Sequence, residues 1–197
     1  AADQGRALTV VEAGREGWQQ DVLGYYPEVL IADLDPVSAG EVVALLGEGG
    51  WRGDVLGGPS LSAADFAAVA GGYAAGTLFL TPWPFPKDVG GGEAFAESYR
   101  EVSNGIEPGP LALPAFEATR LLLDALEEAV ATGELARDDV SAALAERARE
   151  GGLAILRVGG RGTPAQIPLY WYRIGDEGAP ELLGQAWPSG IDPQAAE

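Results

Sequence analysis

The sequence contains no cysteine, no histidine and no methionine. Without thiolate or imidazole ligands, Cys/His zinc sites and disulfide scaffolds are excluded. Haem ligation through His or Met goes with them, as does every Ser-His or Cys-His nucleophile pair. The lack of cysteine fits an oxidising compartment without requiring one. Lys87 is the only lysine and Asn104 the only asparagine. That bias reads as a GC-rich genome with selection against thermolabile residues, not as a functional signal. No stretch approaches the roughly 18 apolar residues of a membrane span, so no transmembrane segment is expected. Ala1-Ala2-Asp3 does not open a signal peptide, and without an initiator Met the chain reads as processed or truncated. What is present is a 197-residue chain, 47% hydrophobic, enough for one domain or two small lobes. Acids outnumber Lys plus Arg by 30 to 12, for a net charge of −18. Such a body repels phosphate backbones and anionic lipid, so nucleic acid is excluded as an expected partner.

The first half alternates short apolar runs with helical patterns. Leu8-Thr9-Val10-Val11-Glu12 reads as a strand, and Val29-Leu30-Ile31-Ala32 as a strand covered on both faces. Val55-Leu56-Gly57 and Leu78-Phe79-Leu80-Thr81 follow at similar spacing. Steps of about two dozen residues leave room for a crossover helix, hence parallel pairing. Ser38 and Glu41 stand at capping-box spacing before Val42-Val43-Ala44-Leu45-Leu46. Ser62-Ala63-Ala64-Asp65 starts a second helix, ending at Gly71-Gly72. A third, over 93–103, closes at Asn104-Gly105.

The character then changes. Residues 115–132 form the best helix, with Ala115, Ala118, Leu122, Leu126, Ala129 and Val130 as one apolar stripe. A shorter helix is expected over 139–150. Strands are expected over 153–158 and 167–174, the latter with Tyr170-Trp171-Tyr172. The loop Gly159-Gly160-Arg161-Gly162 allows them to pair antiparallel. From Gln185 onward the chain reads as a loose tail.

Several motifs carry competing readings. Asp33-Leu34-Asp35-Pro36-Val37 after a hydrophobic strand resembles the first motif of haloacid-dehalogenase-type phosphatases. There the first Asp is the nucleophile, the second the general acid, and Mg²⁺ bridges carboxylate and phosphate. Thr81 and Lys87 resemble that family's second motif and lysine, but no Gly-Asp-x-x-x-Asp run ends a later strand. The competing reading makes Asp33 and Asp35 loop residues, with Asp35-Pro36-Val37-Ser38 opening a helix. Gly58-Pro59-Ser60-Leu61-Ser62 falls one residue short of a nucleophile elbow and has no His to serve it. Thr81-Pro82-Trp83-Pro84-Phe85-Pro86 puts an aromatic just after the fourth expected strand. It is either a ligand-facing ring at the carboxyl end of an α/β sheet or a proline-stiffened connector.

From Val55 to Ala129 the order of signatures resembles one family. Val-Leu-Gly-Gly follows a strand, then comes Gly76-Thr77-Leu78-Phe79-Leu80-Thr81-Pro82, then Phe95 with Tyr99. Asn104-Gly105-Ile106-Glu107-Pro108 and the run Ala115-Phe116-Glu117-Ala118-Thr119-Arg120-Leu121-Leu122-Leu123 complete it. The chain resembles the type I periplasmic solute-binding proteins, specifically the branched-chain amino acid and amide binding group of ABC transporters. The resemblance implies a doubly wound α/β lobe with additional helices and a C-terminal antiparallel strand pair. It implies binding rather than catalysis, no cofactor and a periplasmic or extracellular setting. The implied partners are a small-molecule solute, an amino acid or a related small organic solute, and an ABC permease or receptor chain, with a sensor or interaction module as the alternative. On that template 1–112 form the C-terminal lobe and 113–152 a helical segment of the other lobe. Residues 153–184 form a returning strand pair and 185–197 a tail.

The resemblance covers about half of the family's length, and so implies an apolar face on 113–150 left open. It places the ligand at Asp33, Leu34, Asp35, Pro59, Ser60, Thr81, Trp83 and Phe116. Trp83 and Phe116 would stack, Ser60 and Thr81 would donate hydrogen bonds, and Asp35 would take a cation. Three positions depart from the family pattern. A tyrosine loop is replaced by Asp33-Leu34-Asp35-Pro36, an ammonium-pairing acid by Pro59-Ser60, and a helix-start tyrosine by Phe116. An ammonium without its carboxylate is costly at a desolvated site, so a standard zwitterionic amino acid is not expected as ligand.

Overall fold

The computed structural model describes residues 9–12, 14–131, 137–149 and 168–186. In chain order they form α1 (Trp18–Tyr25), β1 (Val29–Ala32), α2 (Pro36–Glu48), β2 (Asp54–Gly57), α3 (Ala64–Ala70) and β3 (Leu78–Thr81). Then come α4 (Gly92–Val102), α5 (Ala112–Ala131), α6 (Arg137–Arg149), β4 (Leu169–Ile174) and β5 (Pro180–Ala186). The strands make one mixed sheet in the order β1-β2-β3-β4-β5. β1–β2 and β2–β3 are parallel, with Ala32 opposite Gly57 and Gly57 opposite Phe79. A turn over 175–179, closed by Gly175 N–H donating to Ala179 C=O at 2.9 Å, joins β4 to β5. So short a connection between neighbouring strands makes them antiparallel. The α/β class and the parallel strands agree with the sequence.

The chain divides into two compact units, 1–79 with 173–181 and 80–172 with 182–197. In the first, α2 and α3 pack closely. Gly40 makes this possible, since a Cβ there would stand 2.8 Å from Val69 Cβ and 3.0 Å from Phe66 C=O. Register decides which strand residues share a face. Ala32, Val55, Gly57 and Phe79 are buried on one; Val29, Ile31 and Asp54 are exposed on the other, with Leu56 and Leu78 half-buried. In the second unit α5 packs on α6, and α4 sits against the turn at Pro86–Asp88. A Cβ on Gly92 would meet Pro86 C=O, so only glycine fits there.

Several sequence expectations are corrected. Residues 9–12 are not a strand: Val10 is 86% exposed, and a β-branched run without a neighbouring strand has nothing to pair with. The cap of α2 is Asp35, not Ser38, because Pro36 fits the first helical position and starts the helix earlier. The buried row of α5 is Leu113, Glu117, Ala125 and Ala129, at multiples of four. Ala115, Ala118, Leu122 and Val130 from the expected stripe are exposed instead, and Leu126 is half-buried. Phe116 and Leu123 are exposed as well. β4 pairs with β5, which the sequence left unassigned, and Gln185 and Ala186 belong to that strand rather than to a tail. The strand expected over 153–158, its loop and the chain from 187 lie outside the described residues.

Candidate functional site

The candidate site in the first unit follows from strand register. Ala32 and Gly57 are opposite one another at the ends of β1 and β2, so Asp33 and Gly58 leave the sheet side by side. Gly57 admits no side chain: a Cβ would lie 2.4 Å from Leu61 Cδ1 and 2.9 Å from Ala32 C=O. Leu61, fully buried, anchors the tight turn Pro59–Ser62, and Ser62 Oγ donates to Pro59 C=O at 2.6 Å. Pro59 is thereby left exposed and Ser60 half-buried at the carboxyl edge of parallel strands, where open α/β sheets take ligands.

On the neighbouring loop Asp33 is exposed and Leu34 half-buried. Asp35 Oδ1 accepts from the backbone N–H of Val37 at 3.1 Å and of Ser38 at 3.0 Å. Hydrogen bonding by Ser38, side chain first and then backbone, holds the Asp35 carboxyl below its ordinary range. This oxygen is committed to capping α2, as the helix-opening reading of the Asp33–Asp35 motif required. Among the described residues no group of three or more acidic side chains is placed to hold a metal ion.

Thr81, Trp83 and Phe116 fall in the second unit. Thr81 is fully buried, and its hydroxyl has no hydrogen-bond partner among the described residues. Pro84, Phe85 and Pro86 are buried and Trp83 half-buried. The anchor of this segment is Tyr172 on β4, whose hydroxyl accepts from Phe85 N–H at 3.0 Å and donates to Asp88 Oδ2 at 2.8 Å. Its ring meets Phe85 edge-on at 5.0 Å. Burial, above all, pushes the Tyr172 hydroxyl pKa well up, so it stays a donor. The segment is thus a stiffened connector, as one of the two sequence readings had it, and it leaves Trp83 half-buried. Phe116 packs on Phe95 at 5.3 Å between ring centroids, and Phe95 meets Tyr99 at 5.9 Å. Sequence reasoning placed Tyr172 only within an aromatic strand. Its partners lie 84 and 87 residues away, beyond any local pattern.

Neither a family model nor a curated protein sequence matches the chain. Solved structures do. A leucine-binding protein from Thermotoga maritima matches with a TM-score of 0.71 at 20% identity, over 88% of this chain and 48% of that one. An ABC-transporter solute-binding protein from R. palustris, in complex with benzoate, matches with a TM-score of 0.71 at 19% identity, over 92% and 49%. A branched-chain amino acid ABC transporter protein from Thermus thermophilus with bound valine matches with a TM-score of 0.68 at 16% identity, over 87% and 48%. The chain therefore has the fold of these solute-binding proteins and spans about half their length. The resemblance seen in the sequence holds at the level of fold.

Proposed function

We propose that this chain is the solute-holding portion of an extracytoplasmic binding protein that serves an ABC permease or a receptor. The observation that carries this reading is the pairing of Ala32 with Gly57. It brings the Asp33–Asp35 and Gly58–Ser60 loops together at the carboxyl edge of a parallel sheet. Ser60 offers a hydroxyl, and the exposed Asp33 offers a carboxylate beside it. With Asp35 capping a helix and no histidine or cysteine in the chain, these loops are equipped to bind rather than to catalyse.

The ligand class follows from what the second loop lacks. Pro59-Ser60 stands where the family pattern has its ammonium-pairing acid and supplies no carboxylate there, so we infer a small organic solute without an ammonium group. The R. palustris neighbour holds a solute of that kind, benzoate. Isothermal titration with leucine, valine and benzoate tests it. Benzoate is expected to bind and both amino acids to give no measurable heat. Ser60→Ala should weaken benzoate about 3–10-fold, the worth of one hydrogen bond. Tight leucine or valine binding would overturn the ligand class, and silence with all three would overturn solute binding by this chain.

A further inference from the structure

Helix α4 ends in an exposed turn that carries the chain's only asparagine, Asn104, followed by Gly105. Asn104 takes the left-handed conformation, with φ 58°, at the position where helices often end on glycine. Asparagine before glycine is chemically labile, because the next backbone nitrogen can attack the side-chain amide and glycine has no side chain to hinder it. In this turn the attacking nitrogen is occupied. Gly105 N–H donates to Arg100 C=O at 2.8 Å, the bond that closes the end of α4. Arg100 is itself held across the turn, its guanidinium pairing with Glu107 at 3.1 Å and with Glu93 at 3.2 Å. Ser103 Oγ donates to Ile106 C=O at 3.0 Å and closes the same turn a second time. We propose that Asn104 is a self-modification site, converting to aspartate or isoaspartate at a rate set by the Arg100–Glu107 clamp.

The conversion needs only water. The Gly105 nitrogen bonds to Asn104 Cγ and gives up its proton, the Cγ–Nδ2 bond breaks, and ammonia leaves carrying that proton. Water then opens the cyclic imide at one carbonyl or the other, giving aspartate or isoaspartate with no net oxidation or reduction. Attack requires Gly105 N–H to leave Arg100 C=O, so the site reacts only while the last turn of α4 is open. Either product places a new negative charge at the C-terminal end of α4, between Glu101 and Glu107 in sequence, where the helix dipole disfavours it. Isoaspartate also lengthens the backbone by one atom, which breaks the spacing of the Gly105–Arg100 bond. The change is one-way and loosens the turn that had masked it.

The test incubates the whole chain at mildly alkaline pH, folded and in concentrated urea, and follows residue 104 by peptide mapping with isoaspartate detection. Conversion in urea is expected to run about tenfold faster than in the folded chain, the worth of the hydrogen bond that must open. Glu107→Gln and Arg100→Gln should each speed conversion of the folded chain about 2–5-fold, the worth of an exposed ion pair. Neither should change the rate in urea, which separates the clamp from the reactivity of the dipeptide. Glu107 is exposed, so Glu107→Gln should melt with wild type. Urea well below the unfolding transition should leave the wild-type rate unchanged, because opening one turn exposes little surface. Equal rates folded and in urea, or no conversion in either, would overturn the proposal. So would both folded variants converting at the wild-type rate, or a rate that follows global unfolding through low urea.

Discussion

The carboxylate of Asp35 stands where a hydrophobic strand gives way to a helix, and two chemistries compete for it in the sequence. Its geometry decides between them: an extended backbone, Pro36 in the first helical position, and two N–H donors on Oδ1. Only the ionised form accepts both bonds fully, which lowers its pKa below the ordinary 3.8. A lowered pKa gives stability that is fully present above 3.8 and lost as pH falls through the folded value. Asp35→Ala is therefore expected to melt below wild type at neutral pH, with Asp35→Asn close to wild type because Asn also caps. The gap to alanine should narrow as pH is taken below 4. A gap that stays constant in melting curves across that range would contradict the capping role. Tyr172 is the contrasting residue. Nothing near it in sequence announces that it fastens the Trp83 segment, because the contact exists only once β4 is in place.

The elements differ in how plainly the sequence declares them. Val29–Ala32, Val55–Gly57 and Leu78–Thr81 are short apolar or β-branched runs with Gly, Asp or Pro within two residues of each end, and they lie in strands. Pro180–Ala186 contains Glu181, Gly184 and Gln185, so no alternation survives, and only its turn partner β4 makes it a strand. The stripe of α5 was misplaced for a related reason. Periodicity finds the most apolar row, whereas packing selected the row through Leu113 and Ala125, and that row includes the buried Glu117. The same distinction governs Gly40. Helix propensity alone favours Gly40→Ala by about 1 kcal/mol. The added methyl would meet Val69 Cβ at 2.8 Å and Phe66 C=O at 3.0 Å, and overpacking of that kind costs about 1–3 kcal/mol. The α2–α3 seam should win, so Gly40→Ala is expected to lower the denaturation midpoint. A raised midpoint would mean that the seam yields and propensity governs.

At the scale of the whole chain the dominant fact is charge. Eighteen uncompensated negative charges repel one another in the folded state more than in an expanded one. The ion pairs Arg15–Asp21, Arg100–Glu93, Arg100–Glu107 and Arg173–Glu181 are open to solvent and offset little of it. Screening should therefore stabilise the fold. The Debye length falls from about 30 Å at about 0.01 M salt to about 10 Å at about 0.1 M, so most long-range repulsion is removed over that interval. The melting temperature at pH 7 is expected to rise over that step and to flatten beyond it. Each kcal/mol of relieved repulsion is worth about 2–4 °C at this chain length. NaCl and KCl at equal ionic strength should give the same rise if screening is the cause, whereas a site for one cation would separate them. A melting temperature that falls or stays flat over this interval would show that the acids are paired more tightly than these exposed contacts indicate.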